Sequence, residues 1–319
     1  MKKNIIILIG AGQLGSRHLQ GLAASKLKLD IWVMDPSKDS LVRANAFWMK
    51  AKGVENGHSC HFVNSIMALP KNVDLAIVAT AADVRADVVE LLAAYSRVRF
   101  WVLEKVLAQS LLDLDRMTQA THNAEGVWVN LPIRTMGWHK TLGAKFSDGR
   151  VVGMAVRGGD WGLACNALHY LDLVSFWTGC SLMSVSGDGL DSQWHHSKRP
   201  GFYEIYGELK ANFAGGLDVF LDSKNTNTPH IIEVLTTNGD WIVNETEGRA
   251  IGPGGNVILG RFEFQSEMSA LLVGAILESK DCELPTLADA VELHRPFLRS
   301  LLSHWNQTKS CSDTKLPIT

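Results

Sequence analysis

The sequence predicts an α/β protein with two parts. An N-terminal Rossmann-type, doubly wound parallel sheet is followed by an α+β part with a large, mostly antiparallel open sheet. Three observations carry this prediction: short apolar runs alternate with helix-like stretches over the first 130 residues, a glycine motif follows the first run, and longer strand-like runs separated by turn residues come after Pro132. The length of 319 residues suits two domains, which we place at 1–130 and 131–319.

Each element of the first part follows from its own pattern. Continuous rather than alternating apolar runs indicate strands buried on both faces, as in a parallel sheet. The predicted strands are Ile5–Ile9, Asp30–Met34, Val73–Thr80, Arg99–Leu103 and Val127–Leu131, and the predicted helices are Leu14–Ser25, Ser40–Lys52, Asp83–Tyr95 and Leu111–Asn123.

The second part has a different sequence pattern. Turn residues divide positions 185–251 into runs typical of antiparallel strands. The other predicted elements are helices at Thr135–Phe146, Leu163–Trp177, Gln265–Ser279 and Leu287–Ser303 and a strand at Val151–Arg157. From Asn306 onward we expect a polar tail.

Composition excludes several classes of protein. The formal net charge of −2 argues against a dedicated nucleic-acid binder. No apolar run reaches the roughly 18 residues of a membrane span, and the first run is too short for a secretory signal. Five widely spaced cysteines without a CxxC pair fit thiols in a reducing compartment. We therefore expect a cytoplasmic protein without nucleic-acid or membrane partners.

The glycine motif predicts a dinucleotide site. Gly10, Gly12 and Gly15 form a GxGxxG pattern between a strand and a helix, where they permit a tight turn, close approach of a pyrophosphate and tight helix packing. Asp35 lies 20 residues after Gly15, where a carboxylate accepts hydrogen bonds from ribose hydroxyls and repels a 2′-phosphate. NAD is the predicted cofactor. NADP remains an alternative, because the nearby Lys38 can bind a phosphate. Asp35 also has a purely structural interpretation, as a residue that starts a turn.

Motifs along nearly the whole chain are similar to those of one family, the glucose–fructose oxidoreductase/inositol dehydrogenase/rhizopine catabolism (Gfo/Idh/MocA) group. The matching segments are Gly10–His18, Val78–Thr80, Glu104–Val106, Asn130–Arg134, Leu163–Gly179 and Leu284–Glu292. The resemblance implies hydride transfer between a nicotinamide and a carbon of a sugar-like substrate, and an open sheet that forms a homodimer or homotetramer. The cofactor contacts that it and the glycine motif predict are Gly10, Gly12, Gln13, Leu14, Gly15, Asp35, Thr80 and Glu104.

Lys105 and His169 are the predicted catalytic residues. Lys105 follows a strand at the carboxyl edge of a parallel sheet, where a lysine can stabilise a developing alkoxide. A neutral imidazole at His169 can take or return the hydroxyl proton. The resemblance assigns both roles, whereas the residues alone favour a solvated strand-end lysine and a core histidine. We expect the two side chains to meet over the cofactor.

Two departures from the family pattern affect this site. Cys165 stands where the family has an aspartate, so the fixed negative charge is missing. Glu104, Cys165, Asn166 and Asp172 are the predicted supporting residues, and Asp172 shares a helix face with His169, which it can orient. Val106 replaces a proline without removing a functional group.

The predicted substrate contacts are Arg85, Arg134, Trp161 and Lys198. The cations suit an anionic or nucleotide-linked sugar of the kind used in bacterial surface glycans. Arg85, where many family members have a histidine, equally suits a solvent-facing position. For Lys198, a solvated basic loop is the favoured alternative. His195 and His196 lack further ligands at standard spacing, so we predict no metal.

The leading hypothesis is therefore an NAD(P)-dependent oxidoreductase acting on a sugar or sugar derivative. One alternative is a non-redox dinucleotide-binding sensor or regulatory subunit, which the loss of an aspartate at Cys165 would suit. Another is a redox-neutral epimerase or glycosidase that retains its NAD.

Overall fold

The computed structural model describes residues 3–51, 53–146 and 149–319. It divides into two compact units. The first unit comprises the chain up to Ala108 together with Leu112–Asn130 and Glu263–Leu287. The second unit comprises Gln109–Leu111, Leu131–Phe262 and Ala288–Thr319.

A parallel sheet forms the centre of the first unit. Its described strands are β1 (Asn4–Ile9), β2 (Leu29–Met34), β3 (Ser59–Val63), β4 (Asn72–Val78), β5 (Arg97–Glu104) and β6 (Gly126–Asn130). They are ordered β3-β2-β1-β4-β5-β6 and all pair in parallel, which is the Rossmann arrangement. The side chains of Ile6–Leu8 are fully buried, as their continuous apolar run predicts.

Four helices connect these strands. They are α1 (Gln13–Leu22), α2 (Lys38–Lys50), α3 (Ala82–Tyr95) and α4 (Leu111–Ala120), with a 3₁₀ turn at Ile66–Ala68. Predicted and observed ends agree within a few residues, and the predicted helix end at Lys52 lies outside the described residues. The prediction missed β3 because none of its five residues is fully buried and its sequence, Ser-Cys-His-Phe-Val, holds no long apolar run.

The first unit also includes a helix from the far end of the sequence. Helix α7 (Gln265–Ser279) packs against α1, where a side chain at Gly21 would come within 2.8 Å of the Ser266 carbonyl oxygen. Thr286 forms a β-bridge with Trp128. The boundary at 1–130 and 131–319 therefore differs from the observed units, because α7 buries its apolar face against the nucleotide half.

The second unit is built on a mixed sheet. Its described strands are β7 (Val151–Gly158), β8 (Leu182–Leu190), β11 (Gly207–Phe213), β12 (Leu217–Ser223), β13 (Ile231–Thr236), β14 (Trp241–Asn244), β15 (Arg249–Ile251) and β16 (Val257–Leu259), while β9 (His195–His196) and β10 (Tyr203–Glu204) form a separate hairpin. The order is β16-β15-β14-β13-β7-β12-β11-β8, with β7 and β12 parallel and the other neighbours antiparallel. The predicted fold class is confirmed.

Helices and the C-terminal residues complete this unit. Besides 3₁₀ turns at Pro132–Thr135 and Pro253–Gly255, its helices are α5 (Gly137–Phe146), α6 (Leu163–Thr178) and α8 (Leu287–Lys309). The predicted polar tail is wrong in its last part. Leu316 and Ile318 are fully buried, because the tail ends in apolar residues whose side chains insert into the unit.

Two further findings bear on the kind of protein. All five cysteines are described, and none is in a disulfide. Over the described part of the chain, no helix combines the length and the apolar character that crossing a bilayer requires.

Candidate functional site

The glycine turn after β1 forms an open cradle. Gly10 adopts φ +94°, and a side chain there would come within 2.8 Å of the Ala79 carbonyl oxygen. A side chain at Gly15 would overlap the Gly10 carbonyl oxygen. A side chain at Gly12, in contrast, would meet no atom within 4 Å. Gly10 and Gly15 are thus required by the turn itself, whereas Gly12 faces open space.

The start of α1 faces the same space. No side chain caps its N-terminus and its first turn carries no acidic residue, so its amide groups and positive dipole end are available to an anion. Gln13 is exposed and Leu14 is half-buried. The predicted cofactor contacts from Gly10 to Gly15 are therefore contiguous within the first unit, and Gly12 and Gln13 are exposed there.

Asp35 and Thr80 flank the cradle. The Asp35 carboxylate accepts hydrogen bonds from the amides of Ala11, at 2.7 Å, and Ser37, at 2.8 Å. It therefore braces the glycine turn and keeps further lone pairs for other donors. Thr80 Oγ1 is buried and has no hydrogen-bond partner within the described residues. The open space at Gly12, the uncapped helix and this hydroxyl fit a dinucleotide.

Glu104, at the end of β5, lies in a buried polar network. His18 Nε2 is 2.8 Å from Glu104 Oε1, and Asn130 Nδ2 donates to the same oxygen at 2.6 Å. Burial raises the pKa of Glu104, but the hydrogen bonds and charge of these partners outweigh it and lower that pKa below its ordinary value. This geometry fits a role in fixing the strand end.

Two residues of α7 complete this network, and neither was predicted from the sequence. Ser269 Oγ on α7 lies 3.0 Å from His18 Nδ1, and Gln265 accepts a hydrogen bond from Asn130 at 2.9 Å. Both residues lie more than 130 positions from their partners in the chain, so no local pattern points to them. The network ties α1, the ends of β5 and β6, and α7 together.

Lys105 is half-buried directly after β5, and its peptide bond to Val106 is cis. Arg85 braces the segment that follows: its guanidinium donates to the carbonyl oxygens of Val106, Leu107 and Thr80. With an exposed fraction of 1%, Arg85 does not face solvent, so that alternative is wrong. Its described bonds all go to the backbone, and contact with substrate stays a prediction.

In the second unit, the start of α6 carries several predicted residues. Gly162 adopts φ +75° before the helix, and the Ala164 amide donates to Glu204 Oε2 at 2.8 Å, so a side chain from β10 caps α6. Asn166 donates to the Trp161 carbonyl oxygen at 2.7 Å. The Trp161 indole in turn donates to the Asp222 carbonyl oxygen at 2.9 Å. These bonds fix the first turn of α6.

A cavity of about 270 Å³ opens beside this turn. Four predicted residues line it, namely Trp161, Cys165, Asn166 and Lys198. The other lining residues are Asp160, Gly162, His195, His196, Ser197, Arg199, Glu204, Tyr206 and Thr319. His169, one turn further along α6, is half-buried and is not among the described lining residues. The second unit therefore holds a polar cavity with lysine and arginine at its edge.

Asp172 and Arg134 pair with each other. Arg134 Nε lies 3.4 Å from Asp172 Oδ2, and its guanidinium stacks 4.7 Å from the Phe176 ring centre. Burial raises the pKa of Asp172 to about 7, since the lowering by Arg134 is incomplete and the charge of Asp289 raises it further. The predicted roles, orientation of His169 by Asp172 and anion binding by Arg134, stay predictions.

A second buried network was not predicted. The Tyr170 hydroxyl lies 2.7 Å from His230 Nε2 and donates to Glu245 at 3.0 Å, and His139 Nε2 lies 2.8 Å from the other Glu245 oxygen. Burial raises the pKa of Glu245, but the two histidines outweigh it and lower that pKa to about 2. Trp161 packs edge-on against Tyr170. The network thus packs against the Trp161 ring, which lines the cavity.

Metal ligation has no support in the described residues. Among them, no group of three or more His, Cys, Asp or Glu side chains is arranged to hold a metal ion.

No protein-family model and no curated protein matches this sequence. Solved structures do match. Myo-inositol 2-dehydrogenase from Lactobacillus plantarum has a TM-score of 0.70 at 16% identity, covering 96% of this chain and 98% of that one. An oxidoreductase from Agrobacterium radiobacter, in complex with NAD⁺, L-tartaric acid and magnesium, has a TM-score of 0.71 at 15% identity, with coverages of 96% and 97%.

A levoglucosan dehydrogenase in complex with NADH and levoglucosan has a TM-score of 0.70 at 15% identity, covering 95% of this chain and 98% of that one. The likeness therefore extends over almost the whole of both chains. It confirms the two-part fold that the Gfo/Idh/MocA resemblance implies.

Proposed function

We propose that this protein is an NAD-dependent oxidoreductase that transfers a hydride to or from a hydroxyl-bearing or keto carbon of a sugar derivative. The observation that carries the proposal is the cradle of the first unit, where a side chain at Gly12 would meet open space beside an uncapped helix. Neighbouring folds crystallised with NAD⁺ or NADH support the same conclusion.

The residues have distinct roles in this proposal. Gly12 and the amides at the start of α1 bind the pyrophosphate, Asp35 binds ribose hydroxyls, and Thr80 Oγ1 offers a hydrogen bond towards the nicotinamide half. When bound, the nicotinamide accepts or supplies the hydride. Lys105 stabilises the substrate oxygen, and His169 holds or returns its proton.

Cofactor binding is tested by a pair of glycine variants. Gly12→Ala should leave the melting temperature unchanged, because its methyl group meets no protein atom, and weaken NAD binding about tenfold or more by calorimetric titration. Gly15→Ala is the matched control, and its overlap with the Gly10 carbonyl should destabilise the fold itself. Full NAD affinity in Gly12→Ala would overturn the assigned site.

Hydride transfer is tested by absorbance of reduced nicotinamide with NAD or NADP and a panel of sugars, polyols and uronic acids. Lys105→Met and His169→Ala should each lower kcat by about 10²–10⁴-fold. Lys26→Met and His122→Ala change the same residue types at exposed positions and serve as controls. Full activity in both site variants would refute the catalytic assignment.

In this proposal the substrate is an anionic or nucleotide-linked sugar, and more specifically one that is used in surface-glycan synthesis. Lys198 and Arg199 at the edge of the cavity support an anionic group, and the Trp161 ring supports a flat sugar face. Lys198→Met should raise KM for a uronic acid more than for the matching neutral sugar. Equal effects on both would contradict an anion contact.

We also propose a cytoplasmic homo-oligomer. Three neighbouring apolar residues at one end of the sheet, Ile242, Ile251 and Val257, pair across β14–β16 and are exposed by 49%, 37% and 43%. Such a row favours contact with another copy. Light scattering should give a dimer or tetramer, and Ile251→Asp should shift it to monomer. A monomeric wild-type chain would contradict this.

A sensor that binds the cofactor without turnover is the second candidate. The Cys165 thiol supplies no fixed charge and donates to the Thr319 oxygen, which favours a site without the aspartate of the family pattern. Tight NAD binding with no turnover of any panel member would favour this candidate. Redox-neutral chemistry would instead convert a sugar with no net change in nicotinamide absorbance.

A further inference from the structure

Residues Leu316–Thr319 form a buried segment of the second unit. Leu316 and Ile318 have no exposed surface, and Thr319 is 8% exposed. The preceding residues 312–315 are exposed. The segment therefore returns from the surface into the interior of its unit.

Main-chain and side-chain hydrogen bonds anchor this segment at three places. Leu316 N donates to the Gln109 carbonyl oxygen at 2.8 Å, and Gln109 Nε2 donates back to the Ile318 oxygen at 2.9 Å. Tyr203 N, on the β9–β10 hairpin, donates to the Pro317 oxygen at 2.8 Å. These bonds satisfy backbone groups that burial would otherwise leave unpaired.

The third anchor lies in the cavity. The Cys165 thiol, in the first turn of α6, donates to the main-chain oxygen of Thr319, with 2.7 Å between sulfur and oxygen. Cys165 and Thr319 both line the cavity. The segment thus connects α6 to the β9–β10 hairpin, whose loop carries Lys198 and Arg199.

We propose that Leu316–Thr319 is a wall of the substrate cavity, held in place by the hydrogen bond from Cys165 to Thr319, and that it determines which sugar derivatives the cavity accepts. The specificity role rests on the proposed function. The ligand class is a hydroxyl-rich molecule with an anionic group, facing the Trp161 ring and the basic hairpin loop. Cys165 is a positioning residue in this proposal.

The donor at position 165 decides whether the wall stays in place. A thiol or hydroxyl donates to the Thr319 oxygen, whereas a carboxylate is an acceptor and would set oxygen against oxygen. Cys165→Asp should therefore displace the segment, and Cys165→Ser should keep it. Cys180→Asp is the matched control, because Cys180 is also half-buried in this unit and its thiol makes, among the described residues, a single long hydrogen bond, to the Thr178 carbonyl at 3.8 Å.

Hydrogen–deuterium exchange of the full chain measures the displacement without any ligand. In Cys165→Asp, exchange should rise about tenfold or more in peptide 312–319 and at Tyr203, whose amide bonds to Pro317. Cys165→Ser and Cys180→Asp should exchange like the wild type, as should the α1 peptide in all variants. If peptide 312–319 exchanges at the wild-type rate in Cys165→Asp, the proposal that Cys165 holds this segment in place is wrong.

Specificity is measured on the same variants with myo-inositol and glucuronate as probes. Cys165→Asp should change the ratio of their kcat/KM values about tenfold or more while NAD affinity stays at the wild-type value. An unchanged ratio despite faster exchange would overturn the specificity role. If the wild type turns over neither probe nor any other panel sugar, the proposed function and that role both fail, while the exchange result still decides the wall.

Discussion

Two buried carboxylates, one in each unit, have opposite pKa shifts. Glu104 in the first unit and Asp172 in the second are 2% and 1% exposed, so burial opposes the charge of each. The pKa of Glu104 is lowered, whereas that of Asp172 is raised to about 7. Their partners differ: Glu104 Oε1 lies within 2.8 Å of both His18 and Asn130, while Asp172 Oδ2 is 3.4 Å from Arg134 and unbonded within the described residues. Hydrogen bonds together with the charge of nearby groups outweigh burial at Glu104, whereas Arg134 alone does not outweigh it at Asp172.

The glycine cradle of the first unit and the cavity of the second unit also differ in the groups that they present. The glycine cradle presents backbone amides and space left by absent side chains, so it needs few ionisable groups. The cavity of the second unit is surrounded by ionisable groups and stands beside the Tyr170–Glu245 network. Binding at the cradle should therefore depend little on pH, whereas substrate binding should depend on it more.

The largest effect is expected at Glu104. Glu104→Gln removes the charge that His18 and Asn130 satisfy and leaves these buried groups poorly paired, which should cost about 3 kcal/mol. Scanning calorimetry should show a melting temperature lower by about 6–12 °C. A value within about 2 °C of wild type would contradict the view that these short bonds stabilise the charge.

The second effect is a pH dependence at Asp172. Its folded pKa of about 7 exceeds the ordinary 3.8, so the folded state keeps a proton that the unfolded state releases, and stability is lost as pH rises from about 4 to 7. Asp172→Asn removes this loss. The free energy of unfolding of Asp172→Asn, measured relative to wild type, should therefore rise by about 2–4 kcal/mol between pH 4 and pH 8. Leaving Arg134 unpaired adds a cost that is the same at each pH. Urea denaturation at several pH values measures it, and parallel profiles would refute the raised pKa.

Sequence patterns predicted the cradle as a unit, whereas they named several residues of the cavity without predicting that these lie together, and the reason is physical. Gly10–Gly15 are contiguous, and the turn that they form needs specific residue types at fixed positions. The cavity joins the start of α6, a hairpin some 30 residues later and Thr319, and the distance between these segments in the chain leaves no local pattern. Arg85 is a similar case, because its charge suggested solvent or an anion while backbone carbonyls more than 20 residues away bind it.

A smaller effect is expected in the Tyr170 network. Tyr170→Phe removes the hydroxyl that bonds to His230 and Glu245 but keeps the ring against Trp161. Glu245 retains both histidines, so the loss should be about 1–2 kcal/mol, or about 2–8 °C in melting temperature. Tyr95→Phe is the control, because its exposed hydroxyl bonds to a single carbonyl and should matter less. Equal losses in the two variants would mean that the buried network adds nothing.

The smallest effect is expected at Glu125, which shows when a lowered pKa carries no stability. The hydrogen bonds and charge of Arg99 lower the pKa of Glu125 to about 2, yet this carboxylate is exposed. Water solvates it equally well in the unfolded chain, and salt screens the pair. Glu125→Gln should therefore leave the melting temperature unchanged within error at low and high salt, in contrast to Glu104→Gln. A loss as large as that of Glu104→Gln would show that ion pairing, rather than burial with short hydrogen bonds, accounts for the behaviour of Glu104.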